Sequence, residues 1–297
     1  MKELINRLRK IQENFEFSDL QLAGKIGITV DELADFRSGH LSDSIKENLI
    51  SEFVEKLEAN IYPTKLYSSM HRLLDRTFED HAITVIGSIS GAGKTYAGET
   101  YCNAKPDAVF IEVPEVITPR YLLAMISLKL GLPWEGLNLM QMYENIKSSL
   151  ALNEKLLVFD EADRLNKKMF EILRDIWHDG KGNCGIAFIG DENMKNKIKR
   201  GESLKENLIR LLRRVKYVEI FKPIHPDDLK IVFNDILGKN KITEPAMLQA
   251  FEIFKNLGGL ASIIDLAKVM KVYADKSKNT PDDKMLKAAV DKVKTKF

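Results

Sequence analysis

The chain has 297 residues, room for about two domains, and its 45 Lys and Arg nearly balance 43 Asp and Glu, leaving a formal net charge of +2. With 44% hydrophobic and 30% charged residues it has the composition of a folded globular chain, not of a disordered or fibrous one, and its overall charge singles out no class of partner. Cys102 and Cys184 stand far apart, which argues against a disulfide framework or a zinc site, and no apolar run reaches the ~18 residues of a membrane helix, so a cytoplasmic protein without a membrane partner is expected.

Residues 1–60 carry eight Lys or Arg against twelve Asp or Glu. Apolar residues recur at helical spacing at Leu4, Ile5, Leu8 and Ile11, again from Leu20 to Ile26, from Val30 to Phe36 and from Ile45 to Leu57, with Gly27 and Gly39 as punctuation. Ala23 stands four positions before Gly27, and Thr29 caps the next helix, which is the arrangement of a helix-turn-helix. The second helix carries Asp31, Glu32 and Asp35, with only Lys25, Arg37 and His40 as nearby donors, so DNA reading competes here with a protein-contact or assembly role. Residues 61–80 read as a linker.

From residue 81 to 222 short apolar runs alternate with helical segments, the pattern of βαβ units around a parallel sheet. Strands are predicted at Ile83–Ile89, Ala108–Val113, Leu156–Phe159, Gly185–Ile189 and Tyr217–Ile220, with helices over 94–103, 120–131, 140–152, 166–178 and 203–213. Residues 223–297 hold only amphipathic helices, over 226–237, 244–256, 261–274 and 282–295. The expected fold class is α/β: a parallel-sheet P-loop domain, followed by a small C-terminal helical domain and preceded by an all-α helix-turn-helix-like domain.

Between the first strand and the first helix of that pattern stands Gly87-Ser88-Ile89-Ser90-Gly91-Ala92-Gly93-Lys94-Thr95. Glycines leave backbone N–H groups unobstructed, and a helix N-terminus favours an anion. Residues Ser88 through Tyr96 are therefore the predicted phosphate-binding set, with Lys94 reaching the β- and γ-phosphates and the Thr95 hydroxyl available to Mg²⁺. The usual first glycine of such a loop is replaced by Ser88, with Gly87 one residue early.

A second strand ends in Asp160-Glu161-Ala162-Asp163. Asp160 is the candidate for supporting the metal, and Glu161 for polarising an attacking water. The same tetrapeptide marks DEAD-box helicases, but these need a second sheet domain, whereas the chain after Pro223 reads as helical. Asp191 and Asn193 follow a third strand at the same sheet edge and are candidate γ-phosphate or water sensors. Residues 193–216 carry nine Lys or Arg against two Glu. Within them Arg214, with Arg210 second, is the candidate for reaching a neighbouring subunit's γ-phosphate. Arg120, Arg164, Lys167, Lys168, Lys195, Lys197, Lys199 and Arg200 are candidates for contacting the phosphates of DNA.

This succession of motifs resembles the AAA+ ATPases and, within them, the MuB/TnsC-like transposition target-selection ATPases. The resemblance implies ATP and Mg²⁺ as cofactors, a homo-oligomer in the form of a helical filament or ring on double-stranded DNA, and delivery of that DNA to a transposase that the protein activates. Alternatives are a helicase- or clamp-loading AAA+ ATPase, and a nucleotide-gated helix-turn-helix regulator with little hydrolysis. The lid helix of such proteins usually begins with a sensor arginine, where this chain has Ala261 and Ser262. That departure, together with Ser88, implies slow turnover, and the resemblance implies that DNA stimulates it.

Overall fold

The computed structural model describes residues 2–15, 17–41, 43–58, 62–179, 182–192, 194, 213–221, 225–254 and 259–294. Its chain divides into two compact units: Met1–Asn60, Arg72–Gly87 and Gly98–Glu219 in one, and Ile61–His71, Ser88–Ala97 and Ile220–Phe297 in the other.

The first unit opens with four helices, α1 (Lys2–Asn14), α2 (Asp19–Ile26), α3 (Val30–Ser38) and α4 (Ser44–Glu58). Ser18 and Thr29 cap α2 and α3, each accepting from the N–H three residues on while Gln21 and Glu32 reach back to the cap residue's own N–H. Gly27, at φ +89°, ends α2 in the left-handed conformation that a side chain would resist. The apolar faces of the four helices meet around Leu8, Leu22, Leu33, Phe36, Ile50 and Val54.

The residues expected as a linker instead form α5 (Lys65–Glu79). Leu66, Met70, Leu73, Leu74 and Thr77 recur at helical spacing and are buried, and Pro63 lies before the helix, where it does no harm.

Then come β1 (Ile83–Gly87), α6 (Lys94–Ala104), β2 (Ala108–Glu112), α7 (Pro119–Lys129), α8 (Leu139–Leu152), β3 (Lys155–Asp160), α9 (Lys167–Asp179), β4 (Cys184–Gly190) and β5 (Val215–Ile220). Strand order is β2-β3-β4-β1-β5, and β2, β3, β4 and β1 run parallel. Every residue of β1 and β4 is buried, as is all of β3 after Lys155. Their unbroken apolar runs are what a parallel sheet covered on both faces requires. The predicted strand ending at Ile89 in fact stops at Gly87, because the next residues turn into the loop described below. The predicted helix over 203–213 lies outside the described residues.

The second unit holds α10 (Pro226–Leu237), α11 (Glu244–Phe254), α12 (Gly259–Ser277) and α13 (Asp283–Lys294). They close on Val232, Phe233, Ile263, Leu266, Met270, Ala289 and Val293. The buried carboxylate of Asp228 accepts from the backbone N–H of Lys65 at 2.9 Å and from that of His225 at 2.8 Å, joining the starts of α5 and α10. Among the described residues no helix is long and apolar enough to cross a membrane.

In the first unit, α2 seats on the sheet layer by backbone approach and by one lysine. A Cβ at Gly24 would stand 2.6 Å from the Lys129 carbonyl oxygen, so only glycine allows α2 so near α7. The neighbouring Lys25 ammonium donates to the carbonyls of Cys102, Lys105 (2.9 Å) and Ala108 (3.0 Å), satisfying acceptors where α6 ends and β2 begins. Burial draws this ammonium down to about 8. In the unfolded chain it would hold its proton up to about 10.4. The unfolded state therefore binds more protons between these values, and stability contributed at this site rises with pH across that window. Lys25→Met should lower the unfolding free energy by about 1–3 kcal/mol at pH 7 by leaving three carbonyls without this donor. Raising the pH from 8 to 10.5 should favour the parent over the variant, as read from urea unfolding followed by tryptophan fluorescence. A difference that does not change with pH would show that the ammonium is not enclosed.

Candidate functional site

The parallel register aligns the carboxyl ends of three strands. Phe159, Phe188 and Val85 lie in one row across β3, β4 and β1, and Gly87 pairs with Gly190. The loops that follow these strands therefore leave from one edge of the sheet, where ligands of open α/β sheets gather.

After β1 the chain turns through Ser88 to Gly93 into α6. Gly91 and Gly93 have φ of +73° and +90°, conformations that strain any residue with a Cβ. The Lys94 ammonium lies over the loop's own backbone, donating to the carbonyls of Ser88 (2.7 Å) and Ile89 (2.9 Å). A positive charge is thus already enclosed by the turn. Ser88 is fully buried, and its Oγ meets no hydrogen-bond partner among the described residues. It is not one of the residues with positive φ, so the turn does not need glycine at this position, and the departure from the usual loop costs no backbone strain.

At the start of α6, Lys94, Thr95 and Tyr96 have no helical carbonyl four residues back, whereas the Ala97 N–H already donates to Gly93 at 2.9 Å. The Thr95 side chain is exposed at this helix start. The Tyr96 ring packs 6.1 Å from that of Tyr67, and burial pushes its hydroxyl up to about 12. A loop with two left-handed glycines, an enclosed ammonium and a helix start fits a phosphate chain.

At the end of β3, Asp160 is 1% exposed, while the Glu161 side chain is 40% exposed. Asp160 is the last residue of β3, whereas Glu161 lies beyond the strand, where the chain turns and leaves its carboxylate accessible. Glu161 adopts φ +52°, an uncommon conformation for a residue with a side chain and one that recurs at functional sites. Its carboxylate faces the Arg164 guanidinium at 3.4 Å, and that guanidinium also donates to the Val113 carbonyl at 2.7 Å, just past β2. Arg164, grouped above with the DNA-contacting cations, thus holds the acidic turn to the end of the neighbouring strand. The three-residue spacing from Glu161 is the signal that could have revealed this partner.

Among the described residues no cluster of three or more His, Cys, Asp or Glu could enclose a metal. Mg²⁺ needs no such cluster, because it is commonly bound through one or two protein oxygens together with substrate phosphates. Hard oxygen donors of that kind are present in Thr95 and Asp160.

Asp191 follows β4 and is exposed, its carbonyl accepting from the Met194 N–H at 3.1 Å. Asn193, Lys195, Lys197, Lys199, Arg200 and Arg210 lie outside the described residues. Arg214 is exposed, its guanidinium 5.7 Å from the centre of the Trp177 ring. Arg120 and Lys168 are exposed and Lys167 half-buried, in the first turns of α7 and α9.

A family model described as an AAA domain matches residues 74–198. The chain is similar to the solved structure of the Walker-type ATPase PABY2304 of Pyrococcus abyssi, at 17% sequence identity and a TM-score of 0.54, over 78% of this chain and 71% of that one. Comparison with curated proteins finds no match. The parallel sheet, its phosphate-type loop and the AAA-domain match over residues 74–198 give this chain the fold of a P-loop ATPase.

Proposed function

We propose that this protein is an ATPase that, with ATP bound, assembles on double-stranded DNA without strong sequence preference, delivers that DNA to a transposase and activates it. The observation that carries the nucleotide part is the turn at residues 88–96, where two left-handed glycines and the Lys94 ammonium precede a helix start. Such a turn holds phosphates through backbone N–H groups that no side chain obstructs.

In this reading Lys94 exchanges the carbonyls of Ser88 and Ile89 for the β- and γ-phosphates. Thr95 and Asp160 would hold Mg²⁺, which when bound neutralises charge on the phosphates. Glu161, the accessible carboxylate, orients and polarises the attacking water, and Asp191 senses the γ-phosphate from the end of β4. Arg214 is offered to a neighbouring subunit's phosphate, a role that its exposed position supports.

Support for the DNA part comes from the sheet. β2 and β3 are adjacent and parallel, with Glu112 opposite Asp160, so the helices that follow them start from one edge. Arg120, Lys167 and Lys168 occupy these first turns, where lysines and arginines oppose the helix dipole and are unfavourable for the helix itself. Cations at positive helix ends suit phosphates, whose neutralisation gives affinity without base reading.

The N-terminal module lends less support to an operator-reading regulator. Lys25 is engaged with three carbonyls, Arg37 with Asp19 at 2.9 Å, and His40 with the Ser38 hydroxyl at 3.0 Å. The first turn of α3 borders a cleft shared with Gly131, Pro133 and Trp134. Its donors thus serve packing, which favours a contact or assembly role.

Lys94→Ala should weaken ATP binding at least a hundredfold in a fluorescent-nucleotide titration. Glu161→Gln should preserve that affinity while lowering kcat by two orders of magnitude or more, within the range of a positioned general base. Electron microscopy with duplex DNA should show filaments only with ATP, lost in Lys94→Ala and persistent in Glu161→Gln. Discrete rings that load a helicase, or particles indifferent to nucleotide, would refute the transposition reading. Arg120→Ala and Lys168→Ala should each weaken DNA binding similarly on unrelated sequences and lower the salt dependence by about one ion.

A further inference from the structure

The turn at residues 88–96 meets the start of α12 through main chain and the Leu260 side chain. The Leu260 N–H donates to the Gly91 carbonyl at 2.8 Å. Gly259, at φ +57°, lies so near that a Cβ built on it would stand 2.3 Å from the Gly91 oxygen and 2.7 Å from its carbonyl carbon. Leu260 is 5% exposed, and its Cδ2 would stand 3.0 Å from a Cβ at Gly93. The missing side chain of Gly259 therefore lets two backbones touch, and the Leu260 side chain beside Gly93 joins the loop to the core around Ile263 and Val232. The first turn of α12 contains no cation, only Gly259, Leu260, Ala261 and Ser262.

A trans peptide is planar, with its C=O and N–H pointing to opposite sides. Holding the Gly91 oxygen toward Leu260 therefore aims the Ala92 N–H away from α12. That N–H is one of the donors that a phosphate-binding turn offers. Rotating the peptide to suit a different ligand state breaks or strengthens the Leu260 bond, and by linkage the position of α12 acts back on phosphate affinity to the same extent.

We propose that Gly259 and Leu260 are positioning residues for nucleotide binding: they form a backbone latch that orients the Gly91–Ala92 peptide and reports nucleotide occupancy to α12, in place of a charged side chain. The proposal rests on the adenine-nucleotide reading above. Gly259 acts by having no side chain, and Leu260 acts through its N–H.

The test uses the full chain and four proteins: the parent, Gly259→Ala, Leu260→Val and Lys94→Ala. ATP turnover is measured alongside amide hydrogen exchange, with and without ADP and a non-hydrolysable ATP analogue. In the parent the Leu260 amide should be protected, and its exchange should change about tenfold or more on nucleotide binding. Gly259→Ala should raise KM for ATP about tenfold with kcat within twofold, a size typical of coupling between sites. Exchange at Leu260 to Ile263 should become fast and independent of nucleotide, while β1 and β4 keep their protection. Leu260→Val keeps the N–H and should stay within twofold of the parent in KM.

A Gly259→Ala protein with parental KM and nucleotide-dependent exchange would overturn the latch. So would loss of protection throughout β1 and β4, which would mark a general structural defect, or a fall in kcat at constant KM. A parent that binds no adenine nucleotide would sink the ATPase reading and the latch with it. If the parent binds normally, is sensitive to Lys94→Ala and leaves Leu260 unprotected in every state, the latch alone fails.

Discussion

An anion gripped by main-chain N–H groups needs those groups to converge with no β-carbon in the way, and the turn after β1 has the backbone for it. The left-handed conformations of Gly91 and Gly93 supply the convergence, and the start of α6 supplies further N–H groups. Such a turn is soft by itself, since glycines lose much entropy on being ordered. It follows directly from β1, every residue of which is buried, and its Gly91 carbonyl accepts from the Leu260 N–H. The Lys94 ammonium over the Ser88 and Ile89 carbonyls keeps the turn closed around a positive charge.

The acidic strand end follows a different logic. Asp160 is the last, buried residue of β3, whereas Glu161 follows it in a left-handed turn that leaves its side chain accessible. The left-handed backbone at Glu161 and the two bonds of Arg164, to its carboxylate and to Val113, fix where the accessible carboxylate lies. In the proposed reading of Glu161 as the group that polarises water, such restraint helps, because misplacement of a reacting group by an ångström costs far more than a weak ion pair contributes.

The N-terminal helices show how a helix-turn-helix-like sequence packs. Ser18 and Thr29 cap α2 and α3, Gly27 makes the turn between them, and Lys25 is directed at the carbonyls where α6 ends. Gly24 lets α2 approach Lys129 so closely that the two helices share backbone contact.

Much of the fold was readable in one dimension because its parts are local. Gly91, Gly93, Lys94 and Thr95 are contiguous, Asp160 and Glu161 close a run that is apolar enough to be a buried strand, and helix periodicity marked the C-terminal bundle. Local patterns also misled. Residues 61–80 carry Pro63 and mixed polarity and read as a linker, yet the buried spacing of Leu66, Met70, Leu73 and Thr77 makes them a helix once there is a surface to bury against. Ser88 looked like a defect in the loop until its backbone proved not to be left-handed. The pairings of Lys25 with Cys102, Lys105 and Ala108, and of Leu260 with Gly91, could be found only in three dimensions. Their acceptors are main-chain carbonyls, which every residue carries. Residue identity therefore says which segments can be helix, strand or phosphate turn, whereas the choice among identical backbone partners far along the chain is made by packing.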